Sequence, residues 1–494
     1  MKKILLGILV TIIVVVVLCY FLAFSPFGNG LGAQIAQKKI NKEYKNLNFK
    51  INKFVLRPTK LRLDASFDGA KLNVSGNISI FTLGLNLVYD LNVTDLKPLA
   101  NSFKQNFNGT YFTKGTIKGK HELYLVKGMD NLAGGEGNYT VKLDGSHIKS
   151  LKLDVKNLKV KKLEAMLGKS SYITGGSLEL NANIKNANFH KLDGNITSRF
   201  SKITLSKRKL NKDFSLGLQK NLKLNFVSNS ILKKNKISSS MDLNSSLGNI
   251  KIKKSELDIK KKNLSADYQI FIPNLAVFNK ISGAKLQGEV SVLGKIKKDK
   301  NFIVDGHSNL LGGEVNFVLK NNKINANLNH VRLKYFLKTL SYPQIFDSYT
   351  NARLSYNLKN KNGTLKGEMI DGHFLKNQLS EMLIRFTSFD LNSEIYKKIF
   401  FASKIDQNIL NSKIDMQSKN TRIQVLSSAI NLKKSKVDSI LRIKIKNAVF
   451  DSTISGDLRH PDMRVNLSKI IEAQFKKKIG SKIGHRLDLS KIFN

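Results

Sequence analysis

The chain has 494 residues, a formal net charge of +47, 41% hydrophobic content, 6 Pro, 1 Cys and no Trp. That length exceeds one ordinary core, and the hydrophobic content excludes wholesale disorder. A lone Cys excludes an intramolecular disulfide framework, so stability has to come from burial and strand pairing.

Three readings compete for the charge. Nucleic-acid binding needs clustered Lys/Arg with aromatic partners. Anionic lipid needs basic residues beside a membrane-touching element. Compositional bias gives abundant Lys and Asn together, and Lys spread along the whole chain fits it, because alternating strands need polar residues on every wet position.

The first 24 residues read MKKILLGILVTIIVVVVLCYFLAF. The uncharged run 4–24 at about 1.5 Å per residue spans a hydrocarbon core of about 30 Å. It is longer than a signal-peptide apolar region of about 7–15 residues, and no A-x-A site follows, which favours an uncleaved anchor over a cleaved leader. Lys2 and Lys3 precede the run and no Lys or Arg follows until Lys38. The expected topology is therefore single-pass in the inner membrane, N-terminus cytoplasmic, the bulk of the chain periplasmic. Cys19, preceded by Leu18, reads as a membrane residue. This topology argues against nucleic acid as a partner.

After a linker with a short helix at 25–48, the dominant period from residue 49 is two. Val315, Phe317 and Leu319 alternate with polar residues, Asn321 and Asn322 make a turn, and Ile324, Ala326 and Leu328 resume the pattern. The spacing predicts a hairpin with one apolar face. Leu264, Ala266, Tyr268, Ile270 and Ile272 predict another such strand, as do Leu441, Ile443 and Ile445 set against Arg442, Lys444 and Lys446. Short helical patterns recur at 95–107, 158–168, 274–281 and 333–345, each followed by a glycine-rich or small-residue turn and a new strand. This is degenerate repetition, with copies starting near Val93, Val155, Ile272 and Val331. So few short helices cannot roof the array. Either two sheets pack as a sandwich or the apolar face lines an open channel. Ile454, Gly456, Pro461, Met463 and Val465 predict a closing hairpin.

A basic stretch follows. Ile471, Phe475, Ile479 and Ile483 fall on one helical face, with Lys476, Lys477 and Lys478 around it. That pattern fits a cap over the end of the sheet, an interfacial membrane helix, or a docking element for a partner protein.

Catalytic signatures are lacking. None of the eight His pairs at i+3 or i+4, and no G-x-S-x-G or Walker motif occurs. Asp305-Gly306-His307 and Asp371-Gly372-His373 share a D-G-H sequence, for which turn chemistry is favoured over a metal or acid–base role. Gly283 to Gly294 reads as strand and bulge. The expectation is a non-enzyme without cofactor or metal. Lysine runs such as Lys233-Lys234 and Lys260-Lys261-Lys262 lie at or beside turns, as solvated turns or as head-group steering along a groove edge.

The anchor, the helix-then-glycine-strand units and the closing region together resemble the AsmA-like superfamily (AsmA/TamB/YhdP type). The specific part is the last hundred residues: a strand turning through Ala429-Ile430-Asn431-Leu432, a longer strand at Ile440 to Ile445, and a final Gly-x-Leu-x-x-Pro turn at Gly456, Leu458 and Pro461. The resemblance implies a mostly β protein with an elongated, taco-like antiparallel groove, divided as anchor 1–24, linker 25–48, repetitive β-groove 49–375, C-terminal β domain 376–467 and tail helix 468–494. It implies bridge-like phospholipid transport between inner and outer membranes by passive sliding of acyl chains. The groove candidates are Leu264, Tyr268, Ile270, Ile272, Val315, Phe317, Leu319, Ile324, Leu328, Leu441, Ile443 and Ile445. The expected partners are phospholipids, the inner membrane through 4–24, and an outer membrane or outer-membrane protein through the tail. The alternative is a periplasmic scaffold or assembly factor for outer-membrane proteins acting by strand-edge addition. A polyanion-binding surface protein would rest on charge alone and would lose binding with added salt.

Overall fold

The computed structural model describes residues 29–465 apart from 45–46, 58, 80–81, 99–105, 170–171, 310 and 388. The anchor expected at 4–24 and the tail from Ile471 to Ile483 lie outside the described residues, as does most of the helix expected at 95–107. Among the described residues no helix is long and apolar enough to cross a membrane.

The chain divides into two compact units, Met1–Ala266 and Asp267–Asn494. The first holds β1 (Lys50–Arg57), β2 (Lys60–Phe67), β3 (Ala70–Ser79), β4 (Gly84–Val93), β5 (Tyr111–Lys120), β6 (Leu123–Asp130), β7 (Glu136–Asp144), β8 (His147–Lys159), β9 (Ile173–Asn186), β10 (Asp193–Leu205), β11 (Leu222–Lys233), β12 (Lys236–Ser245) and β13 (Gly248–Asp258). Strand β14 (Asn263–Ile272) runs across the division. The second holds β15 (Val290–Lys298), β16 (Phe302–Ser308), β17 (Glu314–Lys320), β18 (Lys323–Arg332), β19 (Phe346–Asn357), β20 (Asn362–Phe374), β21 (Tyr396–Asp406), β22 (Ile409–Gln417), β23 (Thr421–Asn431), β24 (Lys436–Ile445), β25 (Ala448–Asp457) and β26 (His460–Val465).

Every consecutive pair from β1 to β13 is antiparallel. The same holds from β15 to β26. Each unit is thus an open meander. The expected hairpin stands as read: Val315 faces Leu328, Phe317 faces Ala326 and Leu319 faces Ile324. The closing hairpin also stands, with Ile454 opposite Met463 and the turn at Leu458 and Arg459.

In such a meander all connections from even to odd strands fall on one edge. The α-helices between strands are all there: Val160–Met166 and Lys207–Phe214 in the first unit, and Asn279–Ser282, Leu333–Thr339 and Gln378–Thr387 in the second. The helix Lys207–Phe214 was not expected; Ser206 caps it by accepting from the Lys209 amide, and Ser215 ends it in the left-handed region. The opposite edge carries tight turns, plus one 3-10 turn at Phe189–Lys191. Those turns are stitched together. Leu358 N donates to Asn322 O at 2.8 Å, Gln407 N to Lys361 O at 3.0 Å and Leu432 N to Asn408 O at 2.9 Å; in the first unit Lys234 N donates to Leu192 O at 2.6 Å.

Among the described residues the first unit has two buried clusters, a large one and a smaller one around Val155, Leu158, Val160, Leu178 and Ile203, and the second unit has one. In the first, Leu63, Leu72, Leu87, Tyr89, Val126 and Val141 are buried together with Ile40 of the helix Asn29–Glu43. Asn41 fixes that helix to the sheet, bonding both N and O of Phe49. In the second, Leu383 from Gln378–Thr387 shares a core with Tyr396, Ile399, Ile423, Ile443 and Phe450.

A cross-strand row explains how the first core closes. Tyr89 faces Gly115, Gly115 faces Gly128, and Gly128 faces Tyr139. Strands β4 and β7 are three steps apart, about 14 Å in a flat sheet. Yet the two tyrosine hydroxyls are hydrogen-bonded to each other, and Thr113 Oγ1 bonds Tyr139 at 2.5 Å. The rings lie down over the glycine pair, and a Cβ at Gly128 would sit 2.3 Å from the Tyr89 hydroxyl. The second unit repeats the device: Gly294 faces Gly306, which faces Phe317, and Tyr268 donates to the Asp305 carbonyl at 2.8 Å.

This corrects the reading of the D-G-H sequences as turns. Asp305–His307 lies inside β16 and Asp371–His373 inside β20. Glycine stands there because aromatic rings occupy the space: a Cβ would meet Phe317 at 2.4 Å from Gly306 and Phe346 at 2.5 Å from Gly372.

Candidate functional site

The alternating strands put one apolar row after another on the same face. In the second unit the register carries Gly306, Phe317, Ala326, Leu354 and Leu365 across β16 to β20. Beside it run Val315, Leu328 and Ala352 on one side and Leu319, Ile324 and Tyr356 on the other. The large side chains of these rows are half-buried, and the buried members are the small ones, Gly306, Ala326 and Ala352. Strand β24 differs: Leu441, Ile443 and Ile445 are all buried, Ile443 completely. The same sequence pattern therefore makes an uncovered face in one place and a core in another. The difference is what lies on top.

Of the expected groove residues, Val315, Phe317, Leu319, Ile324 and Leu328 come together on the half-buried face. Ile270 and Ile272 are half-buried, Tyr268 is buried over Gly294, and Leu264 is exposed. Leu441, Ile443 and Ile445 sit in the packed core.

The first unit has a comparable face that the alternation did not single out. Leu178, Phe200, Phe226, Leu243 and Ile250 form one row across β9 to β13, and Leu180, Ser198, Ser228, Met241 and Ile252 the next. Phe200 and Phe226 are 5.7 Å apart. A line of hydroxyls crosses this face: Ser230 and Ser239 share a hydrogen bond of 2.8 Å, and Ser255 Oγ donates to the Ser239 carbonyl at 3.0 Å. The second unit has its own hydroxyl pairs, Ser403 with Ser412 at 2.8 Å and Ser428 with Ser439 at 3.1 Å. Paired in this way, hydroxyls satisfy one another and leave the face nearly non-polar. The signal that would find them is serine at the parity of the neighbouring apolar residues.

The charged groups lie off this face. Asp347 is 1% exposed in its side chain and is held by Arg332 and by Lys334 Nζ at 3.1 Å. Burial raises its pKa, but the two cations outweigh that and leave the carboxyl below the usual range. Arg332 also donates to the Tyr349 hydroxyl at 3.1 Å, and His330 stacks on the Tyr349 ring at 4.1 Å. In the first unit burial pushes up the Asp130 carboxyl and the phenols of Tyr89, Tyr111 and Tyr139. Among the described residues Asp130 accepts from the Leu132 amide alone, at 3.0 Å. Asp347 ties Arg332 and Lys334 to strand β19, and Asp130 holds the loop at Leu132. Among the described residues no group of three or more His, Cys, Asp or Glu could hold a metal ion. What each unit presents is an apolar strand face whose large side chains stay partly open.

Comparison with protein-family profiles, with curated proteins and with solved structures returns no match.

Proposed function

We propose that the half-buried strand faces carry phospholipid acyl chains, and that the protein passes them between inner and outer membranes by passive sliding. The observation that supports this most is the row Phe317, Ala326, Leu354 and Leu365 on an open sheet, where large apolar side chains stay half-buried. Each CH₂ hidden on such a face is stabilised by about 0.8 kcal/mol, and no covalent step is needed. The resemblance of residues 404–471 to the AsmA-like closing region adds to the reading. In this reading residues 4–24 anchor the chain in the inner membrane, and the bulk is periplasmic. The packed parts of both units would then be plugs or supports, and Leu441, Ile443 and Ile445 would not touch lipid.

The test is mass spectrometry of lipids that stay with the full chain after purification in mild detergent and a high-salt wash. Several phospholipids per chain, reduced when Phe317 and Leu328 become Asp, is the expected result. A lipid-free, stable chain would sink the reading and leave strand-edge addition to an outer-membrane protein as the better account.

A further inference from the structure

We propose that the tight-turn edge of each unit is a rail for the anionic head groups of phospholipids, an inference that rests on the acyl-chain reading above. The residue pairs that close the hairpins carry it. At the turn edge three closing pairs set cation against cation: Arg57 opposite Lys60, Lys233 opposite Lys236, and Lys320 opposite Lys323. At the helix-bearing edge no closing pair does so among the described residues; Ser245 faces Gly248, Ser308 faces Val315 and Ile445 faces Ala448. Like charges directly opposite destabilise a hairpin. Compositional bias alone would spread such pairs over both edges.

Position supports the same conclusion. Lys320 and Lys323 stand one step beyond Leu319 and Ile324, the last apolar pair of the half-buried face, so they leave the sheet on its opposite side but at the turn, where the rim is within reach of a lysine stem. The neighbouring turn, bonded to this one through Leu358 N and Asn322 O, adds Lys359 and Lys361. All four lysines are exposed, and none has an ion-pair partner among the described residues. Lys361 takes a left-handed backbone, φ 54°, where Gly or Asn is the comfortable residue. Lys202 and Lys446 adopt such a backbone away from this edge, so the conformation alone does not mark it; the closing pairs do. Lys236 is the exception in the first unit, paired with Glu256 at 2.7 Å; a chain lying on the face of the second unit would end at turns whose four lysines have no such partner and whose long stems can bring the ammonium groups round the rim.

The experiment incubates the full chain in mild detergent with vesicles of equimolar phosphatidylglycerol and phosphatidylcholine, then counts both lipids on the protein by mass spectrometry. The variant K320N/K323N/K359N/K361N removes the charges and leaves turn-forming residues in their place. The wild type is expected to take up both lipids with a preference for phosphatidylglycerol. The variant should keep phosphatidylcholine and lose about fivefold or more of that preference. Raising the salt on the wild type, which needs no variant to fold, should erode the preference and leave total lipid unchanged. Equal uptake by the wild type, or an unchanged preference in the variant, overturns the rail while the apolar face stands. Uptake of neither lipid overturns the acyl-chain reading and the rail with it.

Discussion

Gly128→Ala should unsettle the first unit through two side chains that are far from it in sequence. The new Cβ would lie 2.3 Å from the Tyr89 hydroxyl and 2.6 Å from Cζ of Tyr139. Both tyrosines are buried, at 1% and 8% exposure, and their hydroxyls are bonded to each other and to Thr113. Neither ring can swing away without losing that bond. Overpacking costs about 1–3 kcal/mol, a lost buried hydrogen bond adds about 1 kcal/mol, and the stiffer backbone of alanine returns about 0.5 kcal/mol. The expected loss is about 2–3 kcal/mol. Hydrogen exchange on peptides covering β4 to β7 reads it as a fall in local opening free energy. Gly175→Ala is the control, since nothing lies within 4 Å of its Cβ position; it should change stability by less than about 0.5 kcal/mol. Tyr89→Phe removes the nearest clashing atom, so the double variant should be less damaged than the sum of the singles by about 1 kcal/mol. Strict additivity would refute the claim that the glycine is there to make room for the tyrosine.

Ile443→Ala should cost about 3 kcal/mol, more than Phe317→Ala, although phenylalanine is the larger side chain, because Ile443 is wholly buried and Phe317 is half-buried; urea unfolding of the two variants checks the order. Asp347→Asn leaves Arg332 and Lys334 without their buried partner and should cost about 3 kcal/mol near neutral pH. The folded carboxyl titrates below the unfolded one, so this contribution is present above the unfolded pKa and fades as pH falls through the folded value. The gap between wild type and variant should close in acid; a gap independent of pH would refute the pairing. Asp130 has the opposite sign. Its folded pKa is raised by burial, so its penalty appears as pH rises, and Asp130→Asn should stabilise the first unit at neutral pH and do nothing at low pH.

Strands and their pairing were legible wherever one residue in two was apolar. The hairpin from Val315 to Leu328 is an example: parity named the face and Asn321-Asn322 named the turn. What lies over a face was not legible. Phe317 and Ile443 sit in equally regular alternation, and what separates them is the cover that Leu383 and Leu391, far from both in sequence, bring to the core of Ile443. The hydroxyl line Ser230, Ser239 and Ser255 was missed because serine reads as polar until its partner is known. The D-G-H sequences misled for a related reason. Glycine beside aspartate is usual in turns, and nothing local says that Gly306 must be small because a phenylalanine ring from the next strand lies across it. The lysine-bearing turns could be seen in the sequence, but not that those of one unit share an edge, since that follows only from counting strands.

Edge parity also limits how such a sheet can change. In a meander, adding or deleting one strand reverses the direction of every strand after it and moves all later helices to the opposite edge. Adding or deleting a hairpin does neither. Where a turn is bonded to the turn before it, as at Leu358, Gln407, Leu432 and Leu458, a new hairpin inherits the same neighbour contact as the old. The length of this architecture can therefore grow or shrink only in steps of two strands, and a gene that duplicates segments of hairpin size would lengthen it without redesigning either rim.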